Sequence, residues 1–206
     1  MSKMLTATGM KISEKDKEIM IEAIQAGEIS FGKYNKLAEK ELTIYEEQDY
    51  AALVNSGSSA NLLAFASMFM LHKVKPGDEI ITTATAFPTT IAPIIQYSCI
   101  PVFVDVDRWY NIDIEAMKKA LTPRTRGVFI AHTLGIPYDI FSVFQFCYTN
   151  GLFLISDCCD ALGSIYRGNK VTHKAYSDVV TNSFYPAHHI TAGEGGAVLT
   201  SYLLVG

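Results

Sequence analysis

From residue 50 onward, short and mostly continuous apolar runs alternate with segments of helical length. Continuous apolar runs are typical of strands that are covered on both faces, and their alternation with helices is typical of a largely parallel sheet. The pattern therefore predicts an α/β fold in which a mostly parallel, seven-stranded sheet lies between helices. The predicted strands are 51–54, 79–83, 101–105, 127–131, 152–156, 179–184 and 197–200.

Four helices are predicted between the strands, and end signals support the last of them. Asp139 stands at its N-cap position, and Gly151 directly follows its last residue. Helices alternating with strands in this way are the βαβ units of a parallel sheet. The predicted helices are 58–71, 88–96, 113–120 and 139–150.

An N-terminal helical arm, residues 1–47, is expected ahead of the sheet. Ser13 and Asp16 have the spacing of a capping box for a helix that runs to Gly27. The segment 33–47 has the pattern of a second, charged, amphipathic helix. No internal repeat or low-complexity linker indicates a second complete domain.

The remaining residues, 48–206, are expected to form one α/β domain that is truncated at its C-terminal end. The apolar tail 202–206 directly follows a predicted strand, where a buried sheet would normally continue into more structure. Such a tail leaves Leu203, Leu204 and Val205 as exposed apolar residues.

Composition narrows the class of protein. The chain is 49% hydrophobic and 18% charged, which fits one substantial core, and a net charge of −4 without basic runs predicts neither a nucleic acid nor a membrane surface as partner. Residues 1–20 lack the apolar region of a signal peptide, and the apolar stretch 60–71 is too short to cross a bilayer and is expected to be a buried helix. The four cysteines match no secreted disulfide framework, so we expect a protein of the reducing cytoplasm.

The segment from Asn55 to Asn61, Asn-Ser-Gly-Ser-Ser-Ala-Asn, lies between a predicted strand and a predicted helix. Such a turn brings free backbone N–H groups, the helix dipole and hydroxyl groups to one point, which suits a phosphate group. Taken alone, the segment fits an ordinary serine-capped turn better than a phosphate site.

Asp157 follows an apolar strand at the edge of the sheet where open α/β sheets bind ligands. A buried carboxylate there needs a partner, such as the N–H of a pyridinium ring, but a turn or helix cap explains the residue equally well. For Cys158 and Cys159 a structural role is favoured over metal binding, because neighbouring side chains diverge and zinc-ligand spacings are absent. No metal site is predicted.

A third motif combines His188 and His189 with a Gly-Glu-Gly-Gly turn at 193–196. Two histidines beside a turn that permits close backbone approach fit a metal site, a general base or two surface imidazoles. The order of residues alone does not choose between these three roles.

Four segments together resemble the DegT-type nucleotide-sugar aminotransferase family, in the order in which that family has them. They are Ser-Gly-Ser-Ser-Ala-Asn at 56–61, Phe-Pro-Thr-Thr at 87–90, Asp-x-x-Asp-Ala-Leu-Gly at 157–163, and Ser-Phe-Tyr-x-x-His-x-Ile-Thr-x-Gly-Glu-Gly-Gly at 183–196. The resemblance implies the large domain of a PLP-dependent, aspartate-aminotransferase-like enzyme of fold type I. It also implies a homodimer and a C-terminal small domain that is missing here.

The family's aminotransferases have lysine where this chain has His188, six residues before Glu194. The histidine version resembles the 3-dehydratase branch that acts on a CDP-linked 4-keto-6-deoxy sugar, on the route to the 3,6-dideoxyhexoses of lipopolysaccharide. A GDP-linked 3-dehydratase branch also has histidine, but it ranks second because it lacks the Pro-Ala-His-His spacing of 186–189. Either branch implies a nucleotide sugar as substrate.

The resemblance further implies bound pyridoxamine 5′-phosphate or pyridoxal 5′-phosphate. Asp160 stands where the aminotransferases often have Gln, and it is expected near the 3-hydroxyl of the cofactor ring. The other implied roles are the cofactor phosphate for Gly57, Ser58 and Ser183, stacking on the pyridine ring for Phe87, the ring nitrogen for Asp157, and catalysis as a base for His188.

Histidine in place of lysine changes the expected reaction. A lysine amine condenses with the cofactor aldehyde, whereas an imidazole cannot condense but is a base near neutral pH. His188 is therefore expected to remove a proton after pyridoxamine phosphate has condensed with the sugar, so that the C3 hydroxyl is lost. In the CDP-sugar branch, a two-iron two-sulfur cluster in the C-terminal half and a separate flavin iron–sulfur reductase complete the reaction. The cysteines of this chain are not its ligands.

Two positions depart from the family pattern and leave the substrate open. Ser156 replaces a common Glu, and Phe31 lies in a stretch, 29–34, where relatives tend to carry Thr near the sugar nucleotide. Two further classes stand beside the 3-dehydratase. One is a non-catalytic remnant that keeps the fold as a binding module, and the other is an active aminotransferase, which the absence of lysine at 188 disfavours.

Overall fold

The computed structural model of the protein describes residues 11–28 and 30–201. Nine strands occur in this part of the chain, seven in one large sheet and two in a small hairpin. They are β1 (Tyr50–Val54), β2 (Glu79–Thr83), β3 (Ile100–Val104), β4 (Thr125–Ala131), β5 (Phe153–Asp157), β6 (Ile165–Tyr166), β7 (Asn169–Lys170), β8 (Val179–Ser183) and β9 (Gly196–Thr200).

Six α-helices accompany the strands, and four begin at a Ser or Asp whose side chain accepts a hydrogen bond from the first helical turn. These caps satisfy N–H groups that the helix itself leaves free. The helices are α1 (Glu14–Gln25), α2 (Lys33–Glu46), α3 (Gly57–Met70), α4 (Pro88–Gln96), α5 (Ile114–Lys119) and α6 (Ile140–Asn150).

The large sheet has the strand order β1-β9-β8-β5-β4-β2-β3. β9 runs antiparallel to both of its neighbours, and the other neighbouring pairs are parallel. The predicted α/β fold with a mostly parallel, seven-stranded sheet is therefore confirmed, and each strand lies within two residues of its predicted bounds. The hairpin of β6 and β7 was not predicted, because two residues per strand are too few for a hydrophobic period.

Two apolar cores cover the two faces of the sheet. Val128 and Ile130 of β4 pack on one side with Val143 of α6, while Phe129 between them packs on the other side with Phe65 of α3. Successive side chains of a strand point to opposite faces, so a strand covered on both faces is apolar at every position. This is the physical origin of the continuous apolar runs in the sequence.

α3 only partly fits the expectation of a buried helix. It buries one face through residues such as Ala60, Ala64 and Phe65, but Leu63 and Met70 are exposed. Because the segment is apolar all round, its sequence carries no sign of which face meets the sheet. No helix among residues 11–28 and 30–201 is both long enough and apolar enough to cross a membrane.

The predicted helices of the N-terminal arm are present as α1 and α2. α1 has the capping box of Ser13 and Asp16 but no buried residue, whereas α2 buries Leu42 and Glu46 and packs beside β1. The division into an arm and a sheet domain stays a prediction. Expectations for residues 1–10, Ile29 and the tail 202–206 fall outside the described residues.

Candidate active site

The carboxyl ends of β2, β4, β5 and β8 meet around a cavity of about 650 Å³. Ligands of open α/β sheets bind at this edge. The structure brings all seven site residues named from the sequence to the lining of this one cavity. They are Gly57, Ser58, Phe87, Asp157, Asp160, Ser183 and His188.

The N-terminus of α3 forms one wall. Ser56 caps the helix by accepting a hydrogen bond from the Ser59 backbone N–H at 3.1 Å, and Gly57 and Ser58 form the first turn. Gly57 packs so tightly against Ser183 that a Cβ at residue 57 would lie 2.6 Å from the Ser183 Cβ. Only glycine permits this approach, which brings the hydroxyl of Ser183 beside the positive end of the α3 dipole.

Asp157 forms the floor and is 4% exposed. Its Oδ2 accepts hydrogen bonds from Asn61 Nδ2 at 2.8 Å and Thr90 Oγ1 at 2.7 Å, and its Oδ1 accepts one from the Cys159 backbone N–H at 3.1 Å. A carboxylate offers about four lone-pair positions. One position on Oδ1 is therefore left for a donor that enters the cavity.

The partners of Asp157 were not predicted as site residues. Thr181 Oγ1 donates to Asn61 Oδ1 at 2.6 Å, which orients the Asn61 amide so that its Nδ2 faces Asp157. Asn61, Thr90 and Thr181 are all buried. Their signal in the sequence is a polar residue inside an otherwise apolar helix or strand, since buried polar groups are kept when they are paired.

His132 was also missed, although it lines the cavity directly after β4. Its ring stacks on Tyr138 with centroids 4.0 Å apart, and its Nδ1 accepts the Tyr138 backbone N–H at 3.4 Å. Burial lowers the pKa of His132 to about 3, so the ring is neutral and its Nε2 carries the hydrogen. That Nε2 is buried and has no hydrogen-bond partner among the described residues.

His188 and His189 are placed differently. His188 lines the cavity, its side chain is 21% exposed, and its Nδ1 lies 3.1 Å from Asp160 Oδ1. The backbone N–H of His188 donates to the Tyr185 carbonyl at 2.9 Å, which closes the turn before it. His189 is exposed and is not part of the cavity lining.

The departures from the family pattern lie away from the cavity. Ser156 is buried on the opposite face of β5 from Asp157, and its Oγ forms a 2.6 Å hydrogen bond with the Tyr138 hydroxyl. Phe31 is exposed and does not line the cavity. Burial raises the pKa values of the Cys158 and Cys159 thiols, which keeps both thiols protonated. The described residues contain no group of three or more His, Cys, Asp or Glu placed to hold a metal ion.

A model of the DegT/DnrJ/EryC1/StrS aminotransferase family matches residues 10–202. The chain belongs to this family. The order of motifs in the sequence and their convergence on one cavity agree with that assignment. Members are named both as sugar aminotransferases and as sugar 3-dehydratases.

Two curated members of the DegT family are similar over nearly the whole chain. The lipopolysaccharide biosynthesis protein RfbH of Salmonella typhimurium is 44% identical over 94% of this chain and 45% of its own length. The dTDP-4-dehydro-2,6-dideoxy-D-glucose 3-dehydratase of Saccharopolyspora spinosa is 44% identical over 95% of this chain and 43% of its own length. The chain therefore spans less than half the length of either relative.

The fold matches solved members of the same family. The E. coli GDP-4-keto-6-deoxy-D-mannose-3-dehydratase with bound hydrated PLP superimposes with a TM-score of 0.90 and 29% identity, over 95% of this chain and 51% of that chain. The sheet and its helices thus have the fold of the large domain of PLP-dependent enzymes of fold type I. The match covers about half of the solved chain.

Proposed function

We propose that this chain is the cofactor-binding part of a pyridoxamine-phosphate-dependent nucleotide-sugar 3-dehydratase. Such an enzyme removes the C3 hydroxyl from a nucleotide-linked 4-keto-6-deoxy sugar. The observation that carries the proposal is His188 in the cavity lining, at the position where the family's aminotransferases have lysine. No lysine is among the described residues that line the cavity. A histidine there can move a proton but cannot hold the cofactor covalently.

The residues present fit pyridoxamine phosphate at two points. Gly57 and Ser58 at the start of α3, with Ser183, offer backbone N–H groups and hydroxyls to a phosphate. The free position on Asp157 Oδ1 suits the N–H of a pyridinium ring, in a charge-assisted hydrogen bond. The cavity volume of about 650 Å³ is typical of small-molecule sites.

Phe87 would cover one face of the cofactor ring. It is the N-cap residue of α4, it lines the cavity, and it is 69% exposed. An aromatic ring in this position gains stacking energy and burial when a second ring arrives. Its high exposure is therefore consistent with a site that a ligand completes.

His188 would perform the proton transfer. When bound, pyridoxamine phosphate supplies an electron sink that makes the carbon next to its ring acidic. The imidazole of His188 would accept that proton and would return it to the departing C3 hydroxyl, so that the oxygen leaves the sugar as water. Asp157 keeps the ring nitrogen protonated through its hydrogen bond, which maintains the electron sink.

The proposed pathway is inferred from the names of the relatives, and the proposed nucleotide is inferred from a motif of the sequence. Both relatives at 44% identity carry names that fit the proposal, one for lipopolysaccharide biosynthesis and one for a dTDP-sugar 3-dehydratase. We propose a CDP-linked substrate first, because the segment 186–189, Pro-Ala-His-His, resembles the branch that acts on CDP-linked sugars. The GDP-linked alternative is represented by the E. coli structure at 29% identity. The iron–sulfur cluster, the flavin reductase partner and the homodimer stay predictions, because they concern parts that the chain does not cover.

The test uses a full-length form, in which this chain continues into the C-terminal half of its Salmonella relative. It is loaded with pyridoxamine phosphate and given CDP-, dTDP- and GDP-linked 4-keto-6-deoxy sugars, and the products are identified by mass spectrometry. We expect loss of the C3 hydroxyl without an amino sugar, most rapidly with one nucleotide. An amino sugar formed from an amino-acid donor, with a borohydride-reducible link from the cofactor to a lysine, would favour the aminotransferase. Failure to bind pyridoxamine phosphate would favour the non-catalytic remnant.

A further inference from the structure

We propose that Asp160 is a positioning residue for His188, and that it selects Nε2 as the nitrogen that accepts the substrate proton. The inference rests on the proposed function of His188 as the base. It assigns Asp160 a different role from the contact with the cofactor's 3-hydroxyl that the family resemblance implies. The two roles can be separated by experiment.

The distance between the Asp160 and His188 side chains indicates which imidazole nitrogen keeps its lone pair. His188 Nδ1 lies 3.1 Å from Asp160 Oδ1, the distance of an ion pair when the imidazole is protonated. An ionised carboxylate at this distance attracts an N–H and repels a lone pair, so it favours the hydrogen of the neutral ring on Nδ1. A neutral imidazole has one N–H, which leaves a lone pair on Nε2. Since His188 lines the cavity, this lone pair is available to a proton of the bound substrate.

Both partners are held by their own segments, so the pair does not depend on a long flexible side chain. The turn that carries Asp160 is closed by a hydrogen bond from the Ala161 N–H to the Cys158 carbonyl at 2.9 Å. The loop after β4 packs on it so closely that a Cβ at Gly135, where φ is +77°, would lie 2.5 Å from the Asp160 carbonyl oxygen. Ser164 Oγ also donates to the Gly135 carbonyl at 2.9 Å. Two strand ends thus fix the position of Asp160.

The other acids on the cavity lining do not serve this purpose. Three acids line the cavity, Asp157, Asp160 and Glu194. Asp157 accepts hydrogen bonds from Asn61 and Thr90 at the floor. Of the three acids, Asp160 is the one that lies beside the His188 ring. A carboxylate at Asp160 would also repel an ionised 3-hydroxyl on the cofactor ring. An acid that fixes the tautomer and orientation of a catalytic histidine is the arrangement found in the catalytic triads of hydrolases.

The test reads the tautomer directly, by ¹⁵N NMR of the full-length form labelled at its histidines, without cofactor and above the pH at which the imidazole titrates. The His188 signals are assigned by their loss in His188→Asn. We expect the Nδ1–H tautomer in the unsubstituted protein and mainly the Nε2–H tautomer in Asp160→Asn and Asp160→Ala. His189→Asn is the matched control, and it should leave the His188 tautomer unchanged.

The kinetic arm uses the same variants loaded with pyridoxamine phosphate. We expect kcat for dehydration to fall about 10- to 100-fold in Asp160→Asn, while KM and the affinity for pyridoxamine phosphate change by about twofold or less. An unchanged tautomer in both variants would overturn the proposal, and so would a loss of cofactor affinity as large as that in Asp157→Asn. If the unsubstituted protein dehydrates no sugar, the proposed function fails, while the tautomer measurement still decides whether Asp160 orients His188.

Discussion

The floor and the rim of the cavity differ in the burial of their charged side chains and in the number of partners that hold them. At the floor, Asp157 is buried, and three donors from three different segments fix both of its oxygens. At the rim, His188 and Asp160 are partly exposed, and each is fixed by one partner across the cavity edge. A buried charge needs several hydrogen-bond donors to offset the cost of its burial, whereas a group that must exchange a proton needs a free lone pair and access to the substrate. Substitutions at the floor should therefore change binding, and substitutions at the rim should change the rate.

The largest effect is expected at the rim, in His188→Asn of the full-length form. Asparagine keeps hydrogen-bonding capacity but accepts no proton near neutral pH, so the rate of dehydration should fall about 10²- to 10⁴-fold. The affinity for pyridoxamine phosphate, measured by fluorescence titration, should change by about twofold or less. His189→Asn is the control, with a milder effect on rate. If His189→Asn abolishes dehydration and His188→Asn does not, the base is His189.

His188→Lys tests the same position by adding an amine instead of removing a base. A lysine at 188 can condense with the aldehyde of pyridoxal phosphate, so borohydride should trap a covalent adduct that mass spectrometry assigns to residue 188. Dehydration should be lost, and weak amine transfer to the sugar is expected. A trapped adduct on a lysine of the unsubstituted chain would contradict the proposed function.

At the floor, Asp157→Asn should weaken the binding of pyridoxamine phosphate about 10- to 100-fold, since a hydrogen bond to a charged group contributes about 1.5–3 kcal/mol. The matched variant is Asp160→Asn, which should change the affinity by about twofold or less. Isothermal titration of both variants checks the difference. Equal losses would mean that the two carboxylates do not divide their roles between binding and rate.

A smaller loss is expected when a partner of Asp157 is removed. Thr90→Val deletes one of the two donors to Asp157 Oδ2 and should weaken pyridoxamine phosphate binding about three- to tenfold. Thr82→Val is the control, because Thr82 is also a buried threonine but its hydroxyl has no hydrogen-bond partner among the described residues. Similar losses in the two variants would mean that threonine volume, and not the hydrogen bond, sets the affinity.

Glu46 extends the comparison to a buried carboxylate that lacks partners. Neither of its buried oxygens has a hydrogen bond of good geometry among the described residues, and burial raises its pKa, an effect that the nearby Thr172, Lys170 and Asn182 offset only in part. An acid with a raised folded-state pKa contributes stability below its unfolded pKa of about 4.3, and this stability is lost as pH rises through the folded value. Glu46→Gln should therefore unfold at higher urea than the unsubstituted protein at pH 8, and at nearly the same urea at pH 4. A constant difference at both pH values would contradict this account.

Much of the fold followed from local patterns in the sequence. The seven strands and the caps of the helices depend on hydrophobic period and on residues next to one another in the chain, so they were predicted within two residues. The site residues Gly57, Ser58, Phe87, Asp157, Asp160, Ser183 and His188 were named from the resemblance to the DegT-type family, and all seven line the cavity. The antiparallel direction of β9 has no such local signal.

Only the tertiary structure determined the contacts between segments that are distant in sequence. Asn61 forms hydrogen bonds with Asp157, 96 residues away in sequence, and with Thr181, 120 residues away. The sequence around one partner does not indicate the other. The same holds for His132, whose neutral state comes from burial against Tyr138, and for Asp160, whose pairing with His188 joins the turns after β5 and β8. Hydrophobic period is a property of one segment, whereas the pairing of a buried polar group depends on which segments the sheet brings side by side.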